Sequence, residues 1–424
     1  MKVTVKRSNL NGRFRAPPSK SYTHRGLICA ALAEGRSRIL SPLDSEDTEA
    51  TAEVLEKLGV CITRDVMGWE VEGGRLLEPV KPLYCRESGT TLRLITALCT
   101  LVDGRSVLTG EPSLMRRPMG PLIDGLNQLG ATCKTNENSS QVVVEGCGGL
   151  KGGFAQIRGD VSSQFISAIL LVAPWTEEGV TLKLTTPIES RPYINMTFEA
   201  QQAFGVETWS SEDMDEFIVE RQRYNPVEYL VEGDWSSAAY LIAGGVLTGS
   251  VEIQGLRVDS SQADAAVVDA LRMMGADISI KDGFTAVEEA SLRGLRFDVS
   301  DCPDLFPILS SLCAATKGRS VITGIRRLRL KESDRVSAMA EGLKCMGVKT
   351  SERENQLIIE GSNPKGGIIN PYGDHRIAMA FGILGLAAEG DTTILDGGCV
   401  SKSFPGFWAA LEDLGADVRR EGVG

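Results

Sequence analysis

LIDGLNQLGATCKTN, residues 122–136, reads as a helix that carries its own stop. The helical stretch ends in Leu129, and Gly130 follows at the position where a left-handed backbone terminates a helix. TCKTN then reads as a short strand. The same pattern recurs as VLEKLGV, EAQQAFGV, VVDALRMMGA, MAEGLKCMGV and WAALEDLGA. The closing glycines are Gly59, Gly130, Gly205, Gly275, Gly347 and Gly415, separated by 71, 75, 70, 72 and 68 residues. Self-similarity at a near-constant period identifies a repeat architecture.

A second element runs in the same register. GLICAALAEGRSRI, LRLITALCTLVDGRSVLTG, FISAILLVAPWTEEGVTLKL, AAYLIAGGVLTGSVEI, FPILSSLCAATKGRSVITG and IAMAFGILGLAAEGDTTIL are each an apolar helix, a glycine and a β-branched strand. These helices are apolar on most faces, which predicts burial inside a bundle. The chain therefore reads as six helix–strand–helix–strand units with further strands between them. Six such units exceed one ordinary core, so two groups of three are expected. The boundary is expected near YNPVEYLVEGDWSS, residues 224–237. Periodicity leaves open which half the N-terminal strand, in MKVTVKRSNL, pairs with.

Composition narrows the class. The 424 residues are 42% apolar and 24% charged, the balance of an ordinary globular protein. No apolar run reaches the roughly 18 residues of a membrane span, and the N-terminus lacks a signal-peptide core. Ten cysteines without a CxxC pair and only two histidines, His24 and His375, argue against disulfides, zinc and any other metal site. The net charge of −11 argues against a nucleic-acid surface, although a cleft on an acidic protein can still be locally positive. A cytoplasmic protein without membrane or nucleic-acid partners is expected.

The helix starts carry the chemistry. They are PSKSYTHR (18–25), ESGTTLR (87–93), GDVSSQF (159–165), GDWSSAA (233–239), SDCPDLF (300–306) and GDHRIAM (373–379). Helix N-termini offer unpaired N–H groups and a positive dipole end to phosphate or carboxylate. Taken singly, each Ser or Thr is explained by capping. Capping does not explain Lys20, Arg25, Arg93 or Arg376, cations where the dipole favours acids. GEPSLMRRP (110–118) adds Arg116 and Arg117. RRLRLKESDR (326–335) adds arginines and Lys331 against Glu332 and Asp334, where a solvated, salt-bridged helix start is the plainer reading. VSKSFPGFW (400–408) adds Lys402, a residue that alone would read as merely exposed.

In this order SKSYTHR, ESGTTLR, GEPSLMRRP, GDVSSQF, KESDR, GDHRIAMA and SKSFP closely resemble the 5-enolpyruvylshikimate-3-phosphate synthases, a family of enolpyruvyl transferases, over nearly the whole chain. The resemblance implies transfer of the enolpyruvyl group of phosphoenolpyruvate to the 5-hydroxyl of shikimate 3-phosphate, with release of phosphate through a tetrahedral intermediate. No cofactor is implied, and the family tends to be monomeric. It implies an α/β fold of two similar domains, each of three βαβαββ units with helices inside and sheets outside. Residues 16–229 would form one domain and residues 1–15 with 230–424 the other, closing on a cleft that holds the site.

Residue roles carry over by motif. Lys20 would touch both substrates, with Ser21 and Arg25 on the shikimate phosphate. Ser162, Ser163, Gln164, Ser190 and Tyr193 would complete that pocket, and Gln164 would reach phosphoenolpyruvate as well. Gly89, Arg117, Arg335, Arg376 and Lys402 would hold phosphoenolpyruvate. Asp304 and Lys331 would contact the reacting hydroxyl, Asp304 as base, with Glu332 or Lys20 as proton donor to C3. Arg327 stands where some relatives carry asparagine, and Glu87 replaces the asparagine often seen at its position. Two relatives of the fold are set aside. UDP-N-acetylglucosamine enolpyruvyl transferases carry a reactive cysteine where GEPSLMRRP has none. RNA 3′-phosphate cyclases lack six copies and use a histidine nucleophile. A catalytically dead anion-binding protein would not keep all of these cations.

Overall fold

The computed structural model describes residues 1–136, 140–281 and 283–422. It comprises two compact units, Pro18–Val231 and Met1–Pro17 with Glu232–Gly424. In Pro18–Val231 the principal helices are α1 (Lys20–Leu32), α2 (Glu46–Lys57), α3 (Gly89–Leu98), α4 (Gly120–Gln128), α5 (Ser163–Val172) and α6 (Arg191–Ala203). In the other unit they are α7 (Trp235–Thr248), α8 (Val267–Met274), α9 (Phe306–Ala315), α10 (Arg335–Cys345), α11 (His375–Ala387) and α12 (Phe407–Asp413).

The odd-numbered helices follow apolar sequence and are buried along most of their length, up to Phe165–Val172 in α5. A helix without a polar face has no stable position but the middle of the unit. The even-numbered helices form the amphipathic set. Those helices bury one stripe: α4 covers Leu122, Ile123 and Leu126 while Asp124 and Asn127 stay in water.

All six closing glycines have φ between +78° and +102°, the left-handed conformation the repeat requires of them. Gly249, the glycine of the fourth apolar helix, is different. Its backbone is extended, but an added Cβ would lie 2.1 Å from the Leu10 carbonyl oxygen. Close approach, not φ, demands glycine there.

Among the described residues, six four-stranded sheets cover the helices. Each has one parallel pair followed by two antiparallel pairs. Asp103–Thr109, for example, runs parallel to Leu83–Tyr84 and antiparallel to Gln141–Cys147, which pairs in turn with Thr132–Asn136. Parallel strands need a helical crossover, and the apolar helices supply it. Glu228–Leu230 returns to pair with Gly35–Leu40, so the last strand of this unit completes its first sheet. In the second unit the N-terminus does the same. Lys2–Val5 lies between Thr392–Ile394 and Val418–Glu421, and Asn11–Arg15 runs parallel to Ser250–Gln254. The N-terminal strand thus pairs wholly within the unit built from the chain's second half.

The structure also refines two helix starts. Pro303–Leu305 is a 3-10 turn ahead of α9, so SDCPDLF enters its helix three residues late. In RRLRLKESDR, Arg326–Leu330 is a 3-10 turn, and Asp334 caps α10.

Candidate active site

The expected residues form two groups, one in each unit. In Pro18–Val231 the site starts at α1. Lys20 is its first residue, and no acid stands in the first turn. Its counter-charge comes from α2 instead: Lys20 Nζ lies 2.8 Å from Asp47 Oδ2, with both side chains mostly buried. The sequence reading left this lysine waiting for a substrate anion. Asp47 adds a partner within the protein, and no local signal marks it, since Ser45 and Glu46–Glu49 read as an ordinary capped, acidic helix start.

Arg25 meets neutral acceptors instead among the described residues. Its Nε donates to Thr197 Oγ1 (2.9 Å), Nη1 to the Ser21 carbonyl (3.0 Å) and Nη2 to the Tyr193 carbonyl (2.8 Å). Neutral acceptors orient the guanidinium but leave its charge uncompensated, and burial lowers its pKa. Such a group can receive an anion. Ser190, buried and left-handed at φ 59°, starts α6 and thereby sets Tyr193 beside Arg25.

Three elements meet at Gly89, the first residue of α3. A Cβ there would lie 2.9 Å from Arg117 Nη1 and 3.4 Å from Arg93 Nη1. Arg93 Nη1 also donates to Gln164 Oε1, Gln164 Nε2 donates to Thr90 Oγ1 (2.9 Å), and the Arg93 guanidinium lies over the Phe165 ring. Ser162 caps α5 by accepting from the Gln164 amide, with Ser163 buried beside it. In sequence Arg93 reads as a first-turn cation without a role; the structure sets it beside Gly89. Arg116 points into solvent. Glu87 accepts from Ser113 Oγ (2.6 Å), which ties the start of α3 to the arginine loop. His24 bonds Thr51 Oγ1 (2.8 Å), Thr51 bonds Thr91 (2.7 Å) and Thr91 donates to Ser88 Oγ (2.7 Å), a chain that locks α1, α2 and α3 together. Burial, then Lys20 and Arg25, hold the His24 pKa well below its usual value.

In the second unit the expected residues form one cluster. Arg335, 1% exposed, donates to Asp374 Oδ2 (2.8 Å), Asp304 Oδ1 (2.7 Å) and Glu332 Oε2 (2.7 Å). Arg376 Nη2 lies 2.9 Å from Asp304 Oδ2, and Lys331 Nζ 4.0 Å from Asp304 Oδ1. Lys402 Nζ donates to the Gly373 carbonyl (2.7 Å) at the start of α11. Asp374 is the residue the sequence reading missed. It caps α11 by accepting from the Arg376 amide (3.0 Å) and takes a bond from Ser333 Oγ (3.1 Å), so it joins KESDR to GDHR. A buried arginine demands such partners, since an unpaired charge there would be expelled or neutralised.

The charges set each other. Burial alone would raise Asp304, but Arg376, Lys331 and Arg335 together hold it far below the usual carboxylate range. Desolvation within the cluster brings Lys331 down to about 8. Asp264, fully buried and accepting from Ser236 Oγ, is pushed up to about 7 by burial and then by the charge of Asp304. Arg327 donates to the Ser300 carbonyl (2.9 Å) at the approach to Asp304. Arg326 and Arg329 pair with Glu354 and Glu352 at the surface, so the solvated reading of this stretch holds for its outer arginines only.

Among the described residues no group of histidine, cysteine or acidic side chains has the geometry to hold a metal ion, and no helix is long and apolar enough to cross a membrane. The arrangement can do two things: neutralise several anionic oxygens, and present a carboxylate among cations as a proton acceptor.

Comparison with known proteins agrees with this chemistry. Residues 4–411 match the family described as EPSP synthase (3-phosphoshikimate 1-carboxyvinyltransferase). A 3-phosphoshikimate 1-carboxyvinyltransferase of Dehalococcoides mccartyi is 42% identical over 423 residues, covering 99% of this chain and all of the relative. One from Halobacterium salinarum is 43% identical over 431 residues, with the same coverage. Among solved structures, the EPSP synthase of Acinetobacter baumannii superposes with a TM-score of 0.83 at 29% identity, over 99% of this chain and all of the other. The enolpyruvyl transferase NikO of Streptomyces tendae, at 19% identity and a TM-score of 0.81 over 99% of this chain and 98% of its own, shares the fold.

Proposed function

The chain belongs to the EPSP synthase family, and from that membership we infer that it transfers the enolpyruvyl group of phosphoenolpyruvate to the 5-hydroxyl of shikimate 3-phosphate and releases phosphate. The observation that carries this reading is Asp304 seated between Arg335 and Arg376, a base inside an anion-binding cluster. Both substrates are multiply anionic, and their contact needs many cations to offset the repulsion. Arg25, oriented by neutral acceptors, is assigned to the phosphate of shikimate 3-phosphate, with Ser21, Ser162, Ser163, Ser190 and Tyr193 around it. Arg117, Arg335, Arg376 and Lys402 are assigned to phosphoenolpyruvate, with Gly89 keeping space open beside the guanidiniums.

In the reaction Asp304 takes the 5-hydroxyl proton as the oxygen bonds C2, and C3 is protonated by Glu332 or Lys20. Loss of a C3 proton then expels phosphate from the tetrahedral intermediate. Each unit carries residues assigned to the substrates, so each unit is needed for turnover. Ten free cysteines fit work in the reducing cytoplasm, and a monomer suffices, because one chain carries every assigned group.

Phosphate release from the two substrates tests the reading. Wild-type protein should turn over, while Asp304→Ala and Lys20→Ala, one from each unit, should each lose at least about 100-fold in kcat. Solvent-deuterium incorporation at C3 in Glu332→Gln and Lys20→Ala identifies the donor. Wild-type protein that releases no phosphate across the pH range overturns the assignment.

A further inference from the structure

The guanidiniums assigned to phosphoenolpyruvate are occupied by the protein's own carboxylates. Asp304 spans both, with Oδ1 2.7 Å from Arg335 Nη1 and Oδ2 2.9 Å from Arg376 Nη2. Glu332 lies 2.7 Å from Arg335 Nη2, and Asp374 holds Nε at 2.8 Å. A substrate carboxylate would seek the same fork, with one oxygen on each guanidinium. The bridging place between the two guanidiniums is therefore already held, and a substrate carboxylate that takes it displaces a protein carboxylate.

Burial says which one. Asp374 is fully buried, caps α11 and takes a bond from Ser333, so it stays. Asp304 and Glu332 retain 17% and 21% side-chain exposure, so either is freer to move. We propose that Asp304 is an internal stand-in for the substrate carboxylate, and that phosphoenolpyruvate, by displacing it from Arg335 and Arg376, converts it into a working base. This rests on the transfer reading above and adds the order of events.

The groups facing Asp304 support the direction. Arg335 from α10, Arg376 from α11 and Lys331 ahead of α10 favour its anion, while Glu332 and, from the turn before α8, Asp264 oppose it. Held by the three cations it is too weak a base to take a hydroxyl proton. Once a second anion neutralises the guanidiniums, Glu332 and Asp264 remain and its basicity rises. The O5–H proton can then pass to Asp304 as the O5–C2 bond forms and C3 gains its proton. A base that is inert until the acceptor double bond is in place cannot deprotonate the alcohol prematurely.

The test is the affinity of phosphoenolpyruvate, titrated calorimetrically with the 5-deoxy analogue of shikimate 3-phosphate saturating so that no turnover intervenes. Asp304→Asn, which removes the competing ligand, should bind phosphoenolpyruvate about tenfold or more tightly than wild type, the scale of one charge-assisted bond no longer displaced. Glu332→Gln should tighten it by a smaller factor, and carries the test if Asp304→Asn melts at the assay temperature. Glu354→Gln, which removes an exposed carboxylate paired with Arg326, controls for a general loss of negative charge and should stay within about twofold. Unchanged or weaker binding in both Asp304→Asn and Glu332→Gln overturns the displacement, as does equal tightening in Glu354→Gln. Either outcome alongside normal wild-type turnover leaves the transfer reading intact, whereas absent wild-type turnover refutes that reading itself.

Discussion

Arg335 keeps its charge at 1% exposure because three carboxylates close on it, while Arg25, equally enclosed, meets neutral acceptors. The two arginines look alike in sequence and differ in what they still lack. Asp264 shows the same dependence on neighbours. Its folded carboxyl, pushed up to about 7, binds a proton more tightly than the unfolded carboxyl does. The stability it contributes is complete below about pH 4 and is lost as pH rises toward 7. His24 acts in the opposite sense, losing stability as pH falls below its unfolded value near 6.5. Asp264→Asn should therefore remove a decline of up to about 1.4 kcal/mol per pH unit between about pH 4 and 7. Urea unfolding across that range would show it, and an unchanged pH profile would refute the assignment. Asp264 could not be singled out in QADAAVVD, because nothing local distinguishes a buried acid from a solvated one.

At the scale of elements, helix ends were the most legible feature. Lys20, Ser88, Ser162, Asp234, Asp334 and Asp374 all stand at or beside the starts their motifs suggested, since caps are set by residues two or three positions away. Asp234 accepts from the Ser237 amide (3.0 Å) and hydroxyl (2.7 Å) while almost fully buried. Asp234→Ala should cost about 1–2 kcal/mol, read as a fall in melting temperature, whereas Asp234→Asn should recover most of it. Equal losses in both variants would mean that the charge, not the cap, matters. The 3-10 entry to α9 was not legible, because Pro303 permits either geometry at a first turn.

At the scale of the molecule, the repeat was plain in the spacing of its glycines, but the closure of each unit was not. The N-terminal strands supply the third strand of one sheet and an edge strand of another, all within the unit that begins again at Glu232. Deleting residues 2–15 should therefore unfold that unit while Pro18–Val231 stays intact. Limited proteolysis would then leave a fragment of roughly half the chain; survival of the α7–α12 segment would contradict the strand's structural role. By itself the sequence determined the six repeats, their helix stops and the cations at helix starts, since each depends on residues within one or two turns. Tertiary structure alone decided that Asp47 meets Lys20, that Asp374 locks Arg335 and that Asp304 sits between two guanidiniums. Those partners lie 27 to 72 residues apart, and their meeting is set by how whole helices pack rather than by any local preference.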